Sequence, residues 1–271
     1  MSDKKYYSER NNIRERERYN EKDLSELFVQ TYYELSDKKM FEELIGYTDT
    51  WGNRIKGKIA GSFDTFVFKR IGKRDLVPID DEIFYREDDV FDLMELFYDY
   101  VSQPVKIQPI REYDKEAGKN EFRKEMNTIL NNYGKGFELS VQGYIREIID
   151  TGLEKVVDEK HEFVNDDDSE KRIEDAKKKF FHYKADEADK RGAILEVGAV
   201  LEKLKKTGKL GFNKKDENDL FEVLNNFSLR HNRPDQKPNY DKGIFYPWLF
   251  FNLLSAVDAS LKLQKRKAVI F

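Results

Sequence analysis

No proline occurs between Pro109 and Pro234. A stretch of that length without the residue that interrupts the helical hydrogen-bond ladder can be helical almost throughout. The apolar residues inside it agree. Ile173, Ala176, Phe180 and Tyr183 recur at three- and four-residue steps, and so do Ile194, Val197, Leu201 and Leu204, then Leu220, Leu224 and Phe227. Each series is one face of an amphipathic helix. Asp167 with Glu170 is expected to cap the first of these helices, Gly208 to stop the second and Asn213 to cap the third. A fourth helix is expected after Pro234, carrying Trp248, Leu249, Phe251, Leu254 and Leu261, with Pro247 in its first turn, where the missing N–H does no harm. Four such helices with short links predict an antiparallel bundle over residues 153–271.

Upstream, the period changes. Phe122, Met126, Ile129 and Leu130 make a helix face that ends at Gly134 and Gly136, and Phe137, Leu139 and Val141 then alternate with polar residues up to Gln142-Gly143. Residues 116–152 therefore read as a helix followed by a β-hairpin. In the first 115 residues, Leu24, Leu27, Phe28, Tyr32 and Leu35 mark one helix and "EDDVFDLMELFYDYV" marks another, with Glu87, Asp88 and Asp89 in its first turn, where the macrodipole favours carboxylates. Glycines at 46, 52, 57 and 61 break up the interval between them. The fold class predicted is mainly α: a helical N-terminal region, a helix-plus-hairpin connector and a C-terminal bundle.

Charge narrows the partners. Fifty-three acidic and 49 basic residues are densely mixed for a net charge of −4, so no global field draws nucleic acid, and any RNA contact must come from a local patch. The chain has no cysteine, which removes disulfides, thiolate metal ligands and cysteine nucleophiles. Its N-terminus, "MSDKKYYSERNNIRERERYN", has no apolar core of a signal peptide. The longest apolar run, Ile244 to Val257, is short for a bilayer span and reads as a buried helix. A cytoplasmic protein with no membrane contact is expected.

Several motifs fail on inspection. "GNRIKGKI", Gly52 to Ile59, follows a P-loop until its last letter, where Ile59 replaces the Ser or Thr that binds magnesium. His161-Glu162 has no second His four positions on. With His only at 161, 182 and 231, no metal site or cofactor is expected.

One pair remains. In "LRHNRPDQKPNYDKGIFYPWLFF", Arg230 and His231 end the third bundle helix before a proline-broken loop. The surrounding pattern, "AKKKFFHYKADEADKRGAILEVGAVLEKLKKTG", then "KKDENDLFEVLNNFSLRHN" and "YDKGIFYPWLFFNLLSAVDASLKL", resembles the helical C-terminal domain of bacterial abortive-infection-type proteins of the HEPN superfamily. Leu130 to Ile145 is similar to the helix and hairpin that often precede that domain, so the resemblance covers roughly residues 120 to 264. It implies a HEPN-like bundle, a homodimer, and a metal-independent ribonuclease whose Arg, neighbouring polar residue and downstream His line a cleft at the dimer interface. Arg230 matches the Arg and His231 the polar position, whereas Asp235, Gln236 and Lys237 stand where the downstream His belongs.

The chemistry would suit these residues. Imidazole transfers protons near neutrality, and guanidinium holds a phosphate with a permanent charge and a fork of donors. Arg230 and His231 are thus the expected catalytic pair, with Asn232, Arg233 and Gln236 contacting RNA. Basic groups at a helix C-terminus also complement its dipole by ~0.3–1 kcal/mol, so the pair has a purely electrostatic explanation as well. The alternative is an inactive HEPN-like module that binds RNA or protein, any protein partner being expected at the N-terminal region.

Overall fold

The computed structural model describes residues 6–14, 17–59, 61–106, 111–134, 136–149, 152–227 and 240–270. It is mainly α, and it divides into two units, Met1–Ile148 and Ile149–Phe271.

The first unit runs α1 (Tyr7–Arg10), α2 (Glu21–Asp37), α3 (Glu42–Ile45), β1 (Gly46–Thr48), β2 (Arg54–Lys56), α4 (Phe63–Ile71), α5 (Glu87–Tyr100), β3 (Gln103–Lys106), β4 (Glu112–Asp114), α6 (Lys115–Leu130), β5 (Phe137–Leu139) and β6 (Ile145–Glu147). Helices α2, α5 and α6 pack on one another. They do so because each carries an unbroken apolar face: Leu24, Phe28 and Leu35 on α2, Val90, Leu93, Met94 and Phe97 on α5, and Phe122, Met126 and Leu130 on α6, all fully buried. In the middle of this core Tyr32 stacks on Phe41 and Phe97, with ring centroids 4.9 and 5.3 Å apart, and Phe41 and Phe97 meet at a tilt at 5.3 Å. Asn20 starts α2 with a reciprocal capping box to Asp23.

The expected hairpin at 137–148 is present, with Phe137 opposite Glu147 and Leu139 opposite Ile145. Its helix and strands fall within the first unit. Two more antiparallel pairs lie in the first 115 residues, where the sequence predicts helices only: β1 with β2, in the glycine-broken interval, and β3 with β4 after α5. Their strands have three or four residues, too few to show the alternation that reveals a strand.

The second unit comprises α7 (Glu154–Asp158), α8 (Asp167–Phe180), α9 (Glu187–Lys206), α10 (Lys214–Asn226) and α11 (Lys242–Ile270). α8 packs on α9, α9 on α11 and α7 on α11. Phe180 stacks on Phe250 at 4.1 Å, and Ile194, Val197, Leu201, Leu249, Leu253 and Val257 fill the space around them. The helices end much as the sequence predicts, with two shifts. The cap of α8 is Asp166 rather than Asp167: its carboxylate takes the Ser169 N–H and hydroxyl. Helix α11 begins at Lys242, so Pro247 lies past the first turn, where it denies the helix one N–H. The side chain of Leu224 lies outside the described residues.

At 29 residues, α11 outruns the apolar segment Ile244–Val257, so shortness no longer argues against a membrane span. Among the described residues, it is the one helix long and apolar enough to cross a bilayer. Its buried side chains, Tyr246, Leu249, Phe250, Leu253, Leu254, Val257 and Leu261, nevertheless recur as one face in the core of the unit.

Candidate functional site

Arg230, His231, Asn232, Arg233 and Gln236 all lie outside the described residues, in the connection from α10 to α11. The two ends of that connection are described. Phe227 and Tyr240 meet edge-on with ring centroids 5.1 Å apart, and the Tyr240 hydroxyl donates to the Phe227 carbonyl at 2.9 Å. Phe227 and Tyr240, which flank residues 228–239 in the sequence, thus form an aromatic neck between α10 and α11. Phe245 and Trp248 complete the cluster, at 5.2 and 5.7 Å from the Phe227 ring. Burial and the neighbouring Tyr246 push the Tyr240 hydroxyl up to about 12, so it remains a donor at neutral pH.

Asp241 fixes where the chain re-enters the helix. Its carboxylate accepts the Ile244 N–H at 3.3 Å and its carbonyl the Phe245 N–H at 2.9 Å, while Lys242 pairs with Glu187 at the start of α9 at 2.7 Å. Tyr240 and Asp241 thus staple and cap α11, as their order before "KGIFYP" suggests. Beside the neck runs a groove of about 450 Å³ lined by Leu153, Ile244, Pro247, Trp248, Phe251, Asn252 and Ser255. Ile244 is 65% exposed and Trp248 45%, so part of this aromatic helix faces outward.

Elsewhere the second unit buries a histidine. His161 is 1% exposed, and neither ring nitrogen has a hydrogen-bond partner among the described residues. Burial, then the Lys177 ammonium, pulls its pKa down to about 4, with Asp258 acting in the opposite sense. It is a neutral core imidazole at physiological pH. His182 is exposed, accepting the Lys184 N–H at 3.2 Å in the turn after α8.

In the first unit, a cleft of about 330 Å³ is lined by Arg70, Asp92, Glu95, Asp99, Gln142 and Tyr144, among others. The three carboxylates come from α5 at i, i+3 and i+7, a spacing visible in the sequence but not singled out there. Glu95 is committed to the hairpin, accepting the Ile145 N–H at 2.7 Å, and the Arg70 guanidinium lies over the Phe66 and Tyr100 rings. The arrangement ties hairpin to helix.

Gly52 to Ile59 is a hairpin turn and strand rather than a phosphate loop. Gly52, at φ +86°, supplies the turn, and a methyl on Gly57 would overlap the Leu44 carbonyl and the Gly46 nitrogen. Both glycines that imitate a P-loop therefore answer to local packing. Among the described residues, no three His, Asp or Glu side chains form a group suited to a metal ion. Comparison of the chain with protein-family models, with curated proteins and with solved structures returned no match.

Proposed function

We propose that this chain is a metal-independent endoribonuclease or toxin of a bacterial or phage defence system, abortive-infection-like, acting in the cytoplasm as a homodimer. The aromatic neck carries this reading. Its support is that Phe227 and Tyr240, the described residues on either side of 228–239, are held together by a hydrogen bond and an edge-on ring contact between the last two helices. A catalytic loop needs a fixed base, because misplacing a reacting group by an ångström costs orders of magnitude in rate.

In the proposed reaction, the ribose 2′-oxygen attacks the adjacent phosphorus and the bond to the 5′-oxygen breaks, leaving a 2′,3′-cyclic phosphate and a 5′-hydroxyl. His231 takes the 2′-hydroxyl proton, and Arg230 neutralises the charge that builds on the phosphoryl oxygens. The imidazole of a second copy returns a proton to the leaving oxygen, standing in for the downstream His absent at 235–237. Asn232, Arg233 and Gln236 hold the phosphate or base. The outward-facing groove beside the neck, with Ile244 and Trp248, supports a subunit contact close to the loop.

The test is turnover. EDTA-treated protein is expected to cut single-stranded RNA to cyclic-phosphate ends, and Arg230→Ala to abolish cutting with the helical spectrum and melting unchanged. Wild-type protein that leaves every single-stranded RNA intact in EDTA would transfer the assignment to an inactive RNA- or protein-binding module. The Asp-Gln-Lys at 235–237 is the observation that favours this second reading.

A further inference from the structure

Trp51 is 81% exposed, the most exposed of the large hydrophobic side chains among the described residues. An indole buries more area than almost any other side chain when it can, so a Trp left in solvent on an ordered turn calls for a reason. The turn is held firmly. The Asp49 carboxylate accepts the N–H groups of Trp51 at 2.9 Å and Asn53 at 2.7 Å, and the Asn53 side-chain amide at 3.1 Å. The Asp49 N–H donates to the Asn53 carbonyl at 2.9 Å, and the Asp49 carbonyl accepts from Gly52 at 3.1 Å. At the base, Lys58 and Ile59 bond through their N–H groups to the Glu43 and Leu44 carbonyls. The indole stands on a braced pedestal.

Past the turn, the charge along the chain has one sign. Between Asp49 and Asp64, the chain carries Arg54, Lys56 and Lys58 and no carboxylate, in a protein where acidic residues outnumber basic ones. The Asp49 carboxylate is engaged by its own turn, whose N–H donors lower its pKa against the opposing effect of desolvation. Lys58 is paired with Glu43 at 2.6 Å. Arg54 rests one guanidinium nitrogen on the Ile45 carbonyl at 2.8 Å, and it and Lys56, two residues apart on β2, share the sheet face opposite Ile55. All three residues of β2 are exposed.

From these features we infer that the β1–β2 hairpin is a docking site for single-stranded nucleic acid: Trp51 stacks on an unpaired base while Arg54 and Lys56 hold the flanking phosphates. Aromatic platforms beside cations are the general means of holding a strand without reading its sequence, since every base has a face to stack. The alternatives fit less well. Thr50, Gly52 and Asn53 flank Trp51 in the turn, so its tip lacks the run of apolar residues that sinks into a bilayer. A duplex offers its phosphates but keeps its bases stacked away. The inference concerns the first unit alone and does not rest on the nuclease reading, which lies with Arg230 and His231.

Full-length protein should bind a labelled single-stranded 2′-O-methyl RNA of about ten nucleotides in an anisotropy titration; the length is within the usual range of such platforms, and the strand has no free 2′-hydroxyl for the proposed cleavage to use. Trp51→Ala should weaken binding by about 5- to 150-fold and Trp51→Phe by much less, both melting like wild type. Arg54→Gln with Lys56→Gln should flatten the dependence of log affinity on log salt by about 1.4, or about 0.7 per lost phosphate contact. Equal binding by wild type and Trp51→Ala would overturn the inference. So would duplex RNA binding as tightly as single strand, or capture by phosphatidylserine vesicles with none by RNA. RNA that binds through Trp51 yet is never cut would retain this inference while removing the nuclease.

Discussion

The Tyr240 hydroxyl reaches back across thirteen positions of sequence to the carbonyl of Phe227, 2.9 Å away, and joins the start of α11 to the end of α10. Phe227 is the C-cap of α10, where helix carbonyls have no partner within the helix. Tyr240→Phe keeps the ring packing and removes only this bond. It should cost ~1–2 kcal/mol in a urea titration, because the carbonyl loses its partner at a partly dry site. Under the proposed function, RNA cleavage should fall more steeply than stability does. Alkali tests the burial of the same hydroxyl, which with the neighbouring Tyr246 raises its pKa. The hydroxyl titrates at about 12 when folded against an ordinary 10, so its contribution is whole below pH 10 and is lost as pH rises towards 12. Tyr240→Phe should reduce that loss.

His161 predicts the response to acid. Unfolded chain binds a proton at this imidazole near pH 6.5, whereas the folded unit resists protonation until about pH 4. Between those values the unfolded state holds more protons, so stability declines as pH falls through the window and levels off below it. The loss should reach up to about 3 kcal/mol, since each tenfold drop in proton affinity on folding corresponds to ~1.4 kcal/mol. His161→Phe should flatten the dependence of the second unit's melting temperature between pH 6.5 and 4. An unchanged slope would mean that other groups dominate.

Much of this second unit is legible in the chain because its helices follow simple periods. Asn213, with Lys215 and Asp216 donating to it, and Gly208, at φ +67°, sit where cap chemistry puts them. The neck is legible in part, since Tyr240-Asp241 before an aromatic run is a helix entrance, but its partner Phe227 reads as one more apolar position on α10. The first unit hides more. Strands of three residues leave no periodic trace, and the β1–β2 pair depends on a backbone approach at Gly46 and Gly57 that only a fold reveals. The exposure of Trp51 is equally invisible, because a lone Trp in sequence reads as core. The cation-only run from Thr50 to Phe63 is the available signal, and the imitation P-loop that overlaps it masks its meaning.

The stacked pair Phe180–Phe250 tests whether α8 and α11 share one core. Their rings lie 4.1 Å apart at 18°, both almost wholly buried, with Phe181 edge-on to Phe250 at 5.6 Å. Phe250→Ala should remove ~3–5 kcal/mol, the usual cost of an emptied aromatic site in a packed interior. Phe250→Leu should recover part of it. Guanidinium melts followed by circular dichroism would measure both, and a loss below ~1 kcal/mol would contradict the packing.

Gly52 and Gly57 separate a hairpin from a phosphate loop. Gly52 has open space around its α-carbon but a left-handed φ of +86°, so Gly52→Ala should cost ~1–2 kcal/mol of backbone strain and leave the hairpin's pairing intact. Gly57 has the opposite problem: its added methyl meets backbone atoms of Leu44 and Gly46, which cannot rotate away as a side chain would. Gly57→Ala should therefore part the hairpin from α3, raising hydrogen exchange at the Lys58 and Ile59 amides that bond to Glu43 and Leu44. A phosphate loop would lose nucleotide affinity with either change. Here magnesium-ATP at millimolar concentration should leave the melting temperature of wild type and both variants unmoved, and a stabilisation of wild type that either alanine abolishes would restore the nucleotide site.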